Sequence, residues 1–193
     1  MKKLTPEEIL PPEEYEKVRA EKRAEIAKVK LLRRVAVGPH ATFYFENRDT
    51  MWYQVHEMVR IEKGGDAQVA EELEAYNPLI PDGSELVATV MFEIENAEQR
   101  ARVLSTLGGV EETMSIQLDG EVISGIPEAD IDRTTAAGKA SSVQFVHFPF
   151  TAAQIEKFKT PGVKVAVAIW HPSYNHQAGL TEESRAALAQ DFD

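Results

Sequence analysis

Apolar and polar positions along the chain alternate in two periods, and punctuation residues separate one period from the next. From Glu85 to Glu95 the residues Leu86, Ala88, Val90, Phe92 and Ile94 fall on every second position, the pattern of a strand with one buried face. Val35 to Val37 and Ala41 to Glu46 flank Gly38-Pro39 and read as a hairpin. A second hairpin is predicted over 110–126, turning at Asp119-Gly120, because both central positions of a tight hairpin turn require positive φ. Two further strands are expected at Val143–Pro149 and Val163–Trp170, the latter extending to His171.

Helical spacing fills the intervals. Thr5-Pro6-Glu7-Glu8 opens a first turn, Pro11-Pro12 interrupts it, and Pro12 starts a helix to about Arg33 with a narrow stripe of Tyr15, Val18, Ile26 and Val29. Asn47 or Asp49 caps a helix that runs to Lys63 and stops at Gly64-Gly65. Asp66 to Ala75 forms another, ended by Asn77-Pro78 because the residue before proline is pushed out of the helical region. Asn96, Thr151 and Thr181 cap three shorter helices. The stretch from Pro127 to Ser142, with small polar residues and Gly138, is expected to be a mobile loop. Strands, hairpins and helices without a regular βαβ rhythm predict an α+β fold. Its sheet is mostly antiparallel, with helices packed on one face and an N-terminal helical segment. The expected division is one α+β unit, with a helical arm over 1–34 and a core over 35–193.

Composition narrows the functional classes. Of the 193 residues 43% are hydrophobic and 27% charged, ordinary globular usage. No run of about 18 apolar residues occurs, so no membrane-spanning helix is expected. The basic Lys2-Lys3 is followed at once by acidic residues rather than by the apolar stretch of a secretory signal, which points to the cytoplasm. Cysteine is absent, which removes thiol nucleophiles and a Cys-ligated iron–sulfur cluster of the chain's own. A divalent transition metal would have to be held by His, Asp or Glu. The net charge of −11 disfavours nucleic acid as a partner. Against it stands a local run of Lys17, Arg19, Lys22, Arg23, Lys28, Lys30, Arg33 and Arg34 among Glu16, Glu21 and Glu25. It reads either as a solvated helix face or as a docking patch for an acidic partner.

Phosphate-loop, dinucleotide, zinc-protease, calcium-loop and nucleophile-elbow motifs are all missing. Two constellations remain. On the helix from 47, Thr50, Gln54 and Glu57 share a face, Arg60 lies one turn beyond, and Met51, Val55 and Met58 form the adjacent apolar stripe. Such a polar ridge could line a pocket, or belong to any amphipathic surface helix. The second is Trp170-His171-Pro172-Ser173-Tyr174-Asn175-His176. Alternation places His171 on the face of Val163, Val165, Val167 and Ile169, and His147 on the face of Val143 and Phe145. The two imidazoles could meet if these strands pair. His147, His171 and His176 are therefore the candidate metal ligands, with Glu57 as candidate catalytic base, and each His taken singly also reads as a structural strand-end histidine. His40 and His56 are weaker candidates.

Several strings carry a resemblance. Phe45-Glu46-Asn47-Arg48-Asp49-Thr50, Gln54 with Glu57-Met58-Val59-Arg60-Ile61-Glu62, Tyr76-Asn77-Pro78-Leu79-Ile80-Pro81, and His171-Pro172 followed by Tyr174 and His176 resemble an uncharacterised bacterial family. It is a domain of unknown function that spans essentially the whole chain. Gly64-Gly65 departs from it, where larger residues are expected. Genes of that family often neighbour those for rubrerythrin and a heterodisulfide-reductase-like iron–sulfur protein. The resemblance implies a role near redox or peroxide defence and assigns no reaction. The candidate ligand-binding set is Arg48, Gln54, Glu57, Arg60 and Tyr174. Three readings stay open: an accessory protein of an iron–sulfur or rubrerythrin system that binds a metal or small ligand, a metal-dependent enzyme using the His/Glu set, and a structural adaptor.

Overall fold

A computed structural model of the chain describes residues 2–128 and 133–193. Its elements are α1 (Pro12–Leu32), β1 (Arg34–Val37), β2 (Ala41–Glu46), α2 (Arg48–Glu62), α3 (Gly65–Tyr76), β3 (Glu85–Phe92), α4 (Ala97–Ser105), β4 (Met114–Leu118), β5 (Glu121–Ser124), β6 (Ile126–Pro127), β7 (Val143–Pro149), α5 (Ala152–Lys159), β8 (Val165–His171), β9 (Tyr174–Gly179) and α6 (Glu182–Ala189). The fold is α+β with the N-terminal helix in place. Its strands form two sheets, one ordered β1-β2-β3-β7-β6 and the other β5-β4-β8-β9, with every pairing antiparallel.

Alternation decides what lies between the sheets. Leu86, Ala88, Val90 and Phe92 of β3 meet Phe43 and Phe45 of β2 and Val146 and Phe148 of β7 in one core. Met114, Ile116 and Leu118 of β4 and Val165, Val167 and Ile169 of β8 complete it from the second sheet. Phe158 of α5 and Phe192 pack edge-to-face against Phe150 at one end. The outer face of the first sheet is covered as well. Met51, Val55 and Val59 of α2, Leu73 of α3, and Leu4, Leu79 and Ile80 close over Val87 in a smaller core. That second layer explains why Glu46, on the outer face of β2 opposite Val87, is held out of solvent. Glu46 is satisfied there by the hydroxyls of Thr50 (2.6 Å) and Thr89 (2.7 Å).

One segment ties the sheets together. β5 continues into β6 through Gly125, so a single stretch of chain leaves the second sheet and joins the first. A Cβ at 125 would lie 2.5 Å from Val146 Cγ1 and 3.0 Å from the Met114 carbonyl, so only glycine lets the crossing approach this closely. The preceding turn is the expected one, with Asp119 at φ 47 and Gly120 at φ 88.

The N-terminal segment is clamped onto α2 and α3. Leu4 exchanges hydrogen bonds with the Asn77 side chain, Lys3 Nζ reaches the carbonyls of Asn77 and Ile80, and Trp52 Nε1 donates to the Glu8 carbonyl. At the far end of α1, the buried Arg33 donates to the carbonyls of Phe45 and Glu46 and pairs with the equally buried Asp191.

Two expectations are corrected. The stretch 134–142 is not a free loop: Thr134 and Ala140 form a bridge, Ala140 is buried, and its amide donates to the Leu104 carbonyl at 3.0 Å. Ala140 is the apolar anchor that its small size conceals in the sequence. The part of that expectation covering residues 129–132 lies outside the described residues. Nor do the strands bearing His147 and His171 pair. β7 lies between β3 and β6, whereas β8 lies between β4 and β9 in the other sheet.

Candidate functional site

The outward face of α2 meets α1, and there the candidate ridge finds its partners. Both Glu57 carboxylate oxygens are taken: Arg19 donates from Nε (2.8 Å) and Nη2 (2.9 Å), and the Tyr15 hydroxyl donates at 2.8 Å. The Arg19 bonds hold the Glu57 carboxyl below its usual range, although partial burial pulls the other way. A carboxylate so stabilised is a poor proton acceptor. Arg60 pairs with Glu16, Arg48 pairs with Glu8 and also donates to the Lys2 carbonyl, and Gln54 turns away to the Tyr76 hydroxyl. The ridge thus joins α2 to the N-terminal segment, α1 and α3 rather than converging on one point.

Beside it, α1 and α2 part to leave a cavity of about 400 Å³. Ile26 and Val29 of α1 form one wall, Trp52 and Tyr53 of α2 the other, and Lys22, Glu25, Arg48 and Asp49 ring the mouth. Lys30 Nζ sits 5.8 Å from the Tyr53 ring centroid. Behind Trp52 the ring of His56 is wedged between Trp52 (3.8 Å) and Tyr15 (4.7 Å). Its Nδ1 lies 2.7 Å from the Trp52 carbonyl and its Nε2 accepts from the Leu10 amide at 2.9 Å. Only the neutral Nδ1–H tautomer satisfies both, and burial pushes the imidazole below its usual value.

Of the three candidate metal ligands, His147 lies in a different sheet from His171 and His176. His147 lies on the outer face of the first sheet, with Nδ1 2.9 Å from Glu85 and Nε2 3.3 Å from Glu128. His171 ends β8; its Nδ1 accepts from the Ser173 amide and its Nε2–H donates to the Gly108 carbonyl at 3.2 Å. His176 lies on β9 opposite Ile169, its ring against Tyr174 and the backbone of Gly38. Among the described residues no group of three His, Asp or Glu side chains could hold a metal ion. The Glu85–His147–Glu128 set shows why: its carboxylates lie across the ring from one another, so the donors face the imidazole and not a common centre.

Tyr174 is likewise engaged inward. Its hydroxyl accepts from the amides of His40 (2.8 Å) and Ala41 (2.9 Å) and donates to the Val37 carbonyl (2.7 Å), closing the β1–β2 turn onto β9.

Comparison with known proteins decides the family. The family model described as protein of unknown function (DUF3501) matches residues 3–192. The chain belongs to this family. A crystal structure described as that of a novel protein of unknown function from Burkholderia pseudomallei K96243 is 37% identical with a TM-score of 0.92, covering 100% of both chains. No match is found among curated proteins. The DUF3501 assignment is thus carried by nearly the whole chain and not by one motif, and it supplies no reaction. The residues that sequence reasoning passed over in this DUF3501 chain are Trp52, Tyr53, Glu85 and Glu128, while Tyr15 and Arg19 enter it only as part of the apolar stripe and the basic run of α1. For Trp52 and Tyr53 a signal existed, since two adjacent aromatics cannot both face the core of one helix. Glu85 and Glu128 carry none, because they reach His147 only through the pairing of β3, β6 and β7.

Proposed function

We propose that this protein is an accessory binding protein and not an enzyme, and that its working surface is the cleft between α1 and α2. One observation carries the reading. The cleft has the volume of a small-molecule or side-chain pocket and combines an aromatic wall with charged groups at its mouth. Around it, the groups that could do acid–base work, Glu57 and His56, are saturated by internal hydrogen bonds and held in inert protonation states, Glu57 by the Arg19 bonds and His56 by burial. The proposed partner class is the iron–sulfur and rubrerythrin redox system implied by the family resemblance, with an aromatic or aliphatic side chain of the partner seated between Val29 and Tyr53. The basic residues of α1, Arg23 and Lys28 among them, would steer an acidic partner to this face.

Calorimetric titration with purified rubrerythrin and with the iron–sulfur protein tests it, comparing wild type with Tyr53→Ala and the cleft-filling Val29→Trp. Both variants are expected to weaken binding at least tenfold while denaturation midpoints stay near wild type. Binding that survives both substitutions, or no binding by wild type to either protein, sinks the proposal.

A further inference from the structure

We propose that Glu85, His147 and Glu128 form a proton-operated clasp that holds Glu128, the residue that follows β6, against the five-stranded sheet. The geometry of the ring carries the argument. Both imidazole nitrogens lie within hydrogen-bonding distance of a carboxylate oxygen, Nδ1 at 2.9 Å from Glu85 and Nε2 at 3.3 Å from Glu128. A carboxylate only accepts, so both contacts are hydrogen bonds only when both nitrogens carry a proton, that is, in the imidazolium. A neutral ring must turn one lone pair toward a negative oxygen. All three side chains are about four-fifths buried, at 20%, 18% and 16% exposure, so water compensates the mismatch poorly.

The neighbours reinforce this. Glu85 comes from β3 and Glu128 from the residue after β6, while β6 itself offers only Ile126 and Pro127. On the same face Val87 lies opposite His147, and beyond it Glu46 is already bonded to Thr50 and Thr89. Among the described residues Arg133 brings a cation to this face, its guanidinium 4.6 Å from the Phe145 ring centroid. The carboxylate bonds, that from Glu85 foremost, raise the imidazole above its usual value, against the effect of burial.

The clasp matters because of what it fastens. Glu128 follows the short strand that carries the chain from one sheet to the other, and its amide donates to the Phe145 carbonyl at 3.0 Å. His147 is the β7 residue opposite Ile126. On alkalinisation the imidazolium releases one proton to solvent, the longer Glu128 contact loses its donor, and this crossing strand loosens. The sign follows from the raised value. The clasp is closed at and below the ordinary imidazole range and opens as pH rises through the folded-state titration.

Two measurements on the full chain test it. Long-range ¹H–¹⁵N correlation of the His147 ring should show both nitrogens protonated at pH 6.5, with titration above that. Amide exchange at Glu128, corrected for its intrinsic pH dependence, should lose about tenfold protection across the same titration, the effect of one charge-assisted hydrogen bond. Glu128→Gln should lower the titration midpoint and remove the step in protection, and Glu85→Gln should lower the midpoint further. A ring neutral at pH 6.5, or a protection step that persists in Glu128→Gln, overturns the clasp.

Discussion

Replacing Tyr174 by Phe separates a structural hydroxyl from a ligand-binding one. The ring, packed 5.6 Å from Phe92 and 4.6 Å from His176, is retained. What disappears is one oxygen that serves three backbone groups: the amides of His40 and Ala41 and the carbonyl of Val37. Ala41 and Val37 are buried, so water replaces the hydroxyl poorly. An unmade buried hydrogen bond costs roughly 1–3 kcal/mol, and His40 is more accessible, so the three together should cost about 3 kcal/mol. For a chain of this length that lowers the melting temperature by roughly 6–12 °C. Urea denaturation followed by far-ultraviolet circular dichroism gives the free energy directly, with an unchanged slope if only stability is affected. The same variant should bind cleft partners as wild type does, because Tyr174 belongs to the β1–β9 junction and not to the α1–α2 cleft. A loss below about 0.5 kcal/mol would refute the reasoning, since such a loss is that of an ordinary surface substitution.

Three further outcomes are expected. Asp191→Ala leaves the buried Arg33 guanidinium without its counter-charge and should destabilise by roughly 3–5 kcal/mol in the same denaturation assay; a loss under 1 kcal/mol would mean that Arg33 is satisfied by the Phe45 and Glu46 carbonyls alone. His56 is buried neutral with a lowered value, so its contribution is complete above about pH 6.5 and declines as pH falls through the folded-state value. The fall in unfolding free energy from pH 7 to 5 should therefore be smaller in His56→Gln than in wild type, and an unchanged difference would contradict the assignment; His147, with its raised value, runs the opposite way, and Glu85→Gln, which removes the foremost cause of that raising, is the background in which the series is best repeated. Gly125→Ala drives a methyl group into Val146 and the Met114 carbonyl and should cost roughly 1–3 kcal/mol, read from the thermal midpoint; a neutral effect would show that β5 and β6 can separate at little cost.

Much of the local structure was legible in the sequence because it is set by short-range stereochemistry. Asn47, Asn96, Thr151 and Thr181 cap helices through their own side chains, Asp119-Gly120 makes the hairpin turn, and the alternation along β3 names its buried face. Family membership was legible for a different reason, since strings such as Asn47-Arg48-Asp49-Thr50 and Tyr76-Asn77-Pro78 carry the resemblance as sequence, and the family model matches residues 3–192. Tertiary structure decided what these elements do to one another. Period-two alternation puts His147 and His171 each on a definite strand face, yet it is silent on which strands pair, and the chain divides them between two sheets. Side-chain type shows Glu57 on a polar ridge, but only the packing of α1 brings Arg19 and Tyr15 to it and turns a candidate base into a clamped carboxylate. Ala140 looked too small to anchor a loop until the neighbouring Leu104 carbonyl took its amide. Local rules act over three or four residues, whereas contacts such as Arg19–Glu57 and Glu85–His147 join residues 38 and 62 positions apart, and no spacing in the sequence records them.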